Sequence, residues 1–149
     1  MLVLFDVDQT LFLNSDPLMG QATTDAIEAV WGIQLPRDAT RRVDHAGQTA
    51  TRITREILCA EGLDDTEIDP GLHRWCYEAS ARYVELLADA DTSDWTAPEG
   101  TAEALAQIPN RALLTGNPES VARARMERIG LAEFFPSGQG AFGCEAEAG

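Results

Sequence analysis

The sequence contains no lysine, only three cysteines and no apolar run long enough to span a membrane. All eleven basic residues are arginines, and against 25 acidic residues they leave the 149-residue chain with a net charge of −14. The absence of lysine excludes Schiff-base catalysis, which requires a side-chain amine. The acidity argues against a nucleic-acid partner, which would require a basic face. Without a long apolar segment we expect no membrane partner either.

The cysteines indicate a reducing compartment. Cys59, Cys76 and Cys144 are odd in number, widely spaced and without a Cys-x-x-Cys pair, a pattern typical of free thiols rather than of a disulfide framework. Cys76 falls on the apolar face of a predicted helix and is expected in a core. The apolar N-terminal stretch has no basic region before it, which predicts no secretion signal. We therefore expect a cytoplasmic protein.

The pattern of elements predicts an α/β fold. Short apolar runs at 2–7 and 111–117 indicate two strands of a parallel sheet, buried on both faces. Between and after them the pattern is helical. Helices are expected from Asp16-Pro17 to Trp31, from Ala50 to near Gly62, from Asp69-Pro70 through Leu87, from Pro98 to Ile108 and from Asn117-Pro118 to Ile129. This order predicts a discontinuous core, residues 1–13 and 93–149, with an all-helical cap, residues 14–92, inserted after the first strand.

Polar side chains follow both predicted strands. Asp6 and Asp8 end the first strand, and Thr115 ends the second. Ligands collect at the carboxyl ends of parallel strands, and the helix that opens at Asn117-Pro118 would present N–H groups suited to a phosphate. One carboxylate can attack phosphorus while its neighbour acts as general acid and base, with Mg²⁺ bound by carboxylate, backbone and water oxygens. The structural alternative is a turn after a strand.

Two motifs carry a resemblance to a known family. "DVDQT" resembles the first motif of the haloacid dehalogenase (HAD) superfamily, Asp-x-Asp-x-Thr after the first strand, and "ALLTGN" resembles its second, an apolar strand ending in Thr or Ser. The helical insertion resembles the cap of many members. The segment "LTGNPESVARARMERIGLAEFF" is similar to the phosphoglycolate-phosphatase-like branch. The resemblance implies a Rossmann-like core and spans nearly the whole chain.

By this resemblance the chain would be a Mg²⁺-dependent hydrolase of small phosphorylated metabolites that works through an aspartyl phosphate. Asp6 would be the nucleophile and Asp8 the general acid and base. Thr115 would bind the phosphate, together with Gly116 and Asn117. Asp6 and the backbone carbonyl of Asp8 would hold the metal. Because dehalogenases of this fold do not need the second aspartate, the resemblance favours a phosphatase, then a phosphomutase, over a dehalogenase.

The chain also departs from the family pattern. Gln9 stands where members usually have glycine, and the lysine of the third motif is absent. No acidic fourth motif follows Thr115. Glu145 and Glu147 are the only late carboxylates, in a small-residue tail with no strand expected before it. These departures predict an incomplete core that lacks its C-terminal part, with marginal stability or self-association through an unpaired sheet edge.

Two alternatives therefore stay open beside the enzyme. The first is a catalytically inactive HAD-like domain that binds phosphate or a partner protein. The second is a receiver-like domain phosphorylated on a strand-end aspartate, which the large helical insertion disfavours.

The segment "DHAGQTATR", residues 44–52, resembles by its position a substrate-specificity loop of the cap. Gly47 would allow close approach of the backbone, and His45, Gln48 and Arg52 could meet an anionic leaving group. The alternative is that the segment is only the N-terminal cap of the second cap helix, with solvated side chains. Both interpretations stay open at this point.

Overall fold

The sheet of this protein is small and parallel. In a computed structural model that describes residues 1–144, strand β1 (Val3–Phe5) pairs with β2 (Arg111–Leu113), with Phe5 opposite Leu113. The prediction of an α/β fold with two parallel strands is confirmed. An isolated parallel bridge joins Ala141 to Leu114, but in the described residues no third strand precedes the C-terminal tail.

The helices lie close to their predicted positions. In the described part of the chain they are α1 (Leu18–Trp31), α2 (Ala50–Ala60), α3 (Asp65–Ala88), α4 (Thr101–Ala106) and α5 (Glu119–Arg128), with short 3₁₀ turns at Ala39–Arg42 and Ala132–Phe134. The carboxylate of Asp16 accepts the N–H of Leu18 at the beginning of α1, which satisfies one of the unpaired donors of a helix N-terminus. No helix among residues 1–144 has the length and apolar character needed to cross a membrane.

Helix α3 begins earlier than predicted. The sequence places its beginning at Asp69-Pro70, but the structure starts it at Asp65, with Pro70 inside the helix. The reason is a capping box: Asp64 accepts the N–H of Glu67, and the Glu67 side chain accepts the N–H of Asp64. Two satisfied N-terminal donors outweigh the one intrahelical hydrogen bond that proline removes.

Two hydrophobic clusters hold the described residues together. One surrounds the sheet and includes Val7, Leu113 and Met126. The other lies among α1, α2 and α3 and is centred on Trp75. Tyr83 of α3 belongs to the first cluster, so the helical insertion packs directly on the strand-bearing part. The exact division of core and cap stays a prediction.

The face of the sheet is less buried than predicted. Leu4 in the middle of β1 is 52% exposed, and Leu2 and Leu114 are similarly accessible. The expectation that the first strand is buried on both faces is therefore wrong, because the side chain of Leu4 packs on neither hydrophobic cluster of the described residues. In residues 1–144 β1 has a neighbouring strand on one side only, and the predicted self-association through this unpaired edge stays a prediction.

The cysteines depart from the expected reduced state. Cys76 of α3 is bonded to Cys144, 68 residues later in the sequence, while Cys59 is free and exposed. Cys76 packs on the helical cluster, as predicted for a core position. The expectation of three free thiols is wrong because the segment after Ala141 brings Cys144 to the cap helix α3, a juxtaposition that cysteine spacing does not reveal.

Candidate active site

A tight turn after β1 presents the two aspartates. Val7 is fully buried, and its carbonyl accepts the N–H groups of Thr10, Leu11 and Phe12. Asp6 and Asp8 lie on either side of this anchor and are both exposed, because neighbouring residues of an extended chain point in opposite directions. The turn therefore directs both carboxylates to the surface at the carboxyl end of the strand.

Gln9 occupies a strained position in this turn. Its φ is +62°, while every other residue of positive φ in residues 1–144 is a glycine. The sequence resemblance places glycine at this position, and a left-handed conformation favours glycine because it has no Cβ.

Replacing Gln9 by glycine is expected to stabilise the fold by about 0.5–1 kcal/mol. The left-handed conformation costs a residue with a Cβ about 1–2 kcal/mol, more than the about 0.5–1 kcal/mol of entropy that glycine loses on folding. Urea denaturation measures the difference. Gln9→Ala is the control, since it removes the same side chain but keeps the Cβ. Equal gains in both variants would show that backbone conformation is not the cause.

The end of β2 lies beside the end of β1. The N–H of Leu114 donates to the carbonyl of Phe5 at 2.8 Å, so the residues that follow the two strands are neighbours. Thr115 is buried, and its hydroxyl oxygen accepts both the backbone N–H and the side-chain amide of Asn117. Two donors occupy the hydroxyl lone pairs, which leaves the hydroxyl hydrogen to donate to another group.

Asn117 joins the two halves of the site. Its side-chain amide donates to Oδ2 of Asp8 at 2.6 Å and to Oγ1 of Thr115 at 3.0 Å. Asp8 and Asn117 are 109 residues apart in the sequence. The structure thus brings the predicted general acid and the predicted phosphate-binding threonine into one hydrogen-bonded chain.

Arg125 is a site residue that the sequence analysis missed. Its Nη1 donates to Oδ1 of Asp8 at 3.0 Å, and its Nη2 lies 3.0 Å from Oδ2 of Asp16. The Arg125 side chain is only 5% exposed and that of Asp16 only 3%. Its position on the helix could have identified it from the sequence. Arg125 shares the buried face of α5 with Val121, Ala122 and Met126, and an arginine on an apolar face needs a buried partner.

Tyr83 completes this buried group. Its hydroxyl donates to Oδ2 of Asp16 at 2.6 Å. Burial raises the pKa of Tyr83 well above its ordinary value, and the charge of Asp16 adds to this while Arg125 opposes it. For Arg125, burial alone lowers the pKa, but its interactions with Tyr83, Asp8 and Asp16 outweigh this and leave the pKa raised. The guanidinium therefore stays charged.

Tyr83 is expected to ionise at a higher pH in the folded protein than in the unfolded chain, because burial raises its pKa. Because an unfolded tyrosine has a pKa of about 10, the folded state binds more protons above that pH. The contribution of Tyr83 to the free energy of unfolding is thus complete below about pH 10 and is lost as the pH rises further. Urea denaturation at a series of alkaline pH values measures this: above about pH 10 the free energy of unfolding should fall more steeply in the wild type than in Tyr83→Phe, and equal slopes would contradict the assignment.

The side chains of His45 and Arg52 are engaged within the helical insertion. The Nε2 of His45 is hydrogen-bonded to the carbonyl of Thr40. Arg52 is exposed and pairs with Glu56 one turn along α2. Thr49 caps α2 by accepting the N–H of Arg52, as the capping interpretation of the segment predicted. The structure does not bring His45 or Arg52 to Asp6 or Asp8, and their predicted roles stay predictions.

Gln48 is the cap residue whose backbone the structure places against Gly116, in the segment predicted to bind phosphate. The carbonyl of Gly116 accepts the N–H of Ala50 at 2.7 Å, and a Cβ on Gly116 would lie 2.2 Å from the carbonyl oxygen of Gln48. Only glycine leaves room for this approach. Within residues 1–144 the buried Oε1 of Gln48 has no hydrogen-bond partner.

The residues present fit a magnesium ion in part. One oxygen of Asp6 accepts the N–H of Val7, which leaves the other oxygen for a cation. Both oxygens of Asp8 accept hydrogen bonds from Arg125 and Asn117, so its backbone carbonyl is the group suited to a hard cation. Residues 1–144 contain no cluster of three acidic, histidine or cysteine ligands. Glu145 and Glu147, the late carboxylates of the sequence, lie outside the described residues.

Comparison with known proteins shows the fold. No family model and no curated protein sequence matches the chain. Among solved structures, a HAD hydrolase, family IA, variant 3, from Entamoeba histolytica HM-1:IMSS is 19% identical, with a TM-score of 0.55 over 95% of this chain and 60% of that one. A "predicted phosphoglycolate phosphatase" from Haemophilus somnus 129pt is 20% identical, with a TM-score of 0.55 over 95% and 62%. The chain thus has a HAD-like fold and spans about three fifths of these proteins.

Proposed function

We propose that this chain is a Mg²⁺-dependent phosphomonoester hydrolase that acts on small phosphorylated metabolites through an aspartyl phosphate. The observation that carries the proposal is the hydrogen-bonded chain of Asp8, Asn117 and Thr115 beside Asp6, at the shared carboxyl end of β1 and β2. The HAD-like fold supports it. The same pair of carboxylates would serve a phosphomutase, but no contact in residues 1–144 favours that reaction.

In the proposed reaction Asp6 attacks phosphorus and displaces the leaving oxygen. The hydroxyl hydrogen of Thr115 is available to a phosphoryl oxygen, and the N-terminus of α5 favours the same negative charge. Asp8 would protonate the leaving oxygen and later take a proton from the water that hydrolyses the aspartyl phosphate. Magnesium, held by the Asp6 carboxylate and the Asp8 carbonyl, would neutralise part of the phosphate charge.

Asp8 requires a change of partners to act as an acid. In the structure both of its oxygens accept hydrogen bonds, which is the arrangement of a carboxylate without a proton. A rotation of the Asn117 amide would turn its oxygen toward Asp8. This oxygen would then accept a hydrogen bond from the protonated carboxyl group of Asp8. Asn117 can therefore support both states that the proposed reaction requires.

One observation favours the inactive alternative. Because Arg125 and Asn117 occupy both oxygens of Asp8, the described residues suit binding of a phosphate as well as its transfer. In such a domain Thr115, Gly116 and α5 would still bind an anion, but no ester would be cleaved.

Removal of magnesium tests the proposal. Phosphate release from p-nitrophenyl phosphate is expected with Mg²⁺ and is expected to fall to the protein-free rate with excess EDTA, because Asp6 and the transferred phosphate would then repel each other without a cation. Restoring Mg²⁺ should restore the rate. Phosphate binding by calorimetry without any release in Mg²⁺ would favour the inactive binding domain.

A further inference from the structure

Arg125 connects elements that are distant in the sequence. It lies on α5 and contacts Asp8 in the turn after β1 and Asp16 immediately before α1. Through Asp16 it reaches Tyr83 on α3. The loop that carries a candidate catalytic carboxylate is therefore linked, through one guanidinium, to both the beginning and the later part of the helical insertion.

The two carboxylates that Arg125 contacts differ in how exposed their side chains are. Asp16 is bound by both Nε and Nη2 and is 3% exposed, whereas Asp8 is bound by Nη1 alone and is 55% exposed. The guanidinium also lies over the rings of Phe12 and Tyr83, at 4.8 and 5.8 Å from their centroids. A planar guanidinium held on one side by a buried carboxylate and two rings can donate to Asp8 in one direction only.

We propose that Arg125 is a positioning residue that orients the Asp8 carboxylate. The position of Arg125 in turn depends on where the helical insertion lies. This inference rests on the proposed function, in which Asp8 transfers the proton. Asp16 and Tyr83 act through Arg125. A movement of the insertion that separates Asp16 from Arg125 removes the anchor, and Asp8 then loses its fixed orientation toward Asn117.

The kinetic test compares Arg125→Lys with Arg128→Lys. Lysine keeps the charge but cannot reach two carboxylates with a planar fork. We expect kcat for p-nitrophenyl phosphate to fall about 100-fold in Arg125→Lys with KM within about twofold, as for a misplaced catalytic group. Arg128, on the same helix, contacts Leu87 and Thr92 instead, and its replacement should leave kcat unchanged. An unchanged kcat in folded Arg125→Lys would overturn the proposal.

A second readout does not depend on activity. The side-chain amide of Asn117 donates to Asp8, so its proton and nitrogen resonances report where Asp8 lies. We expect these resonances to move in Arg125→Lys and in Asp16→Asn, which does not touch Asn117, and to stay in place in Arg128→Lys. Tyr83→Phe, which removes only one hydroxyl, is the milder variant if Asp16→Asn does not fold. Unmoved resonances in the folded variants would refute the positioning role.

The kinetic and resonance measurements distinguish failure of the proposed function from failure of the proposed positioning role. If the wild-type chain releases no phosphate but its Asn117 resonances respond to Asp16→Asn, the proposed function is rejected and the positioning of Asp8 is retained. If the wild-type chain is active but kcat and the Asn117 resonances do not respond to these replacements, the positioning role is rejected and the proposed function is retained.

Discussion

Asp6→Asn is expected to reduce the rate of Mg²⁺-dependent phosphate release by about 10⁴-fold or more, which is the size of rate loss typical when an enzyme loses its nucleophile. An amide cannot attack phosphorus as a carboxylate does, and it is also a weaker ligand for a hard cation. Because Asp6 is exposed, the free energy of unfolding should change by no more than about 0.5 kcal/mol. Single-turnover phosphate release and urea denaturation measure the two quantities.

A matched control for this result is Asp94→Asn. Asp94 is an exposed acid in the segment that returns from α3 to α4, and its replacement makes the same change of charge far from the turn after β1 along the chain. Its activity should equal that of the wild type. Full activity in Asp6→Asn would exclude Asp6 as the nucleophile, and equal losses in both variants would indicate an effect of overall charge.

Arg125→Met is expected to lower the free energy of unfolding by about 3–5 kcal/mol, since it leaves the carboxylate of Asp16 buried without its cation. The exposed pair of Arg42 and Asp38 provides the comparison, with both side chains more than half exposed. Arg42→Met should cost no more than about 1 kcal/mol. Urea denaturation of the two variants measures the contrast.

A double-mutant cycle isolates the cause. Adding Asp16→Leu to Arg125→Met removes the unpaired charge and should recover much of the lost stability, because an apolar pair can replace a buried ion pair at little cost. Additional destabilisation by the second replacement would show that the hydrogen bonds of Asp16 to Leu18 and Tyr83, rather than its unpaired charge, determine the effect.

The sequence by itself determined what depends on neighbours along the chain. Apolar runs predicted both strands, and caps such as Asp16 and Asn117 marked helix beginnings, because these signals act over three or four residues. The aspartates after the first strand and the threonine after the second followed from the strands themselves, since parallel strands present their carboxyl ends together. Gln9 was singled out by the family resemblance, and the structure shows the positive φ that glycine adopts more readily at that position.

Only the tertiary structure decided which side chains meet across long separations. Asp8 contacts Asn117 and Arg125, 109 and 117 residues away, and Cys76 reaches Cys144. Periodicity can show that Arg125 lies on the buried face of α5, but it cannot show which carboxylates lie opposite that face. The partner of a buried charge depends on how helices pack, and packing is the sum of many weak contacts that no local pattern records.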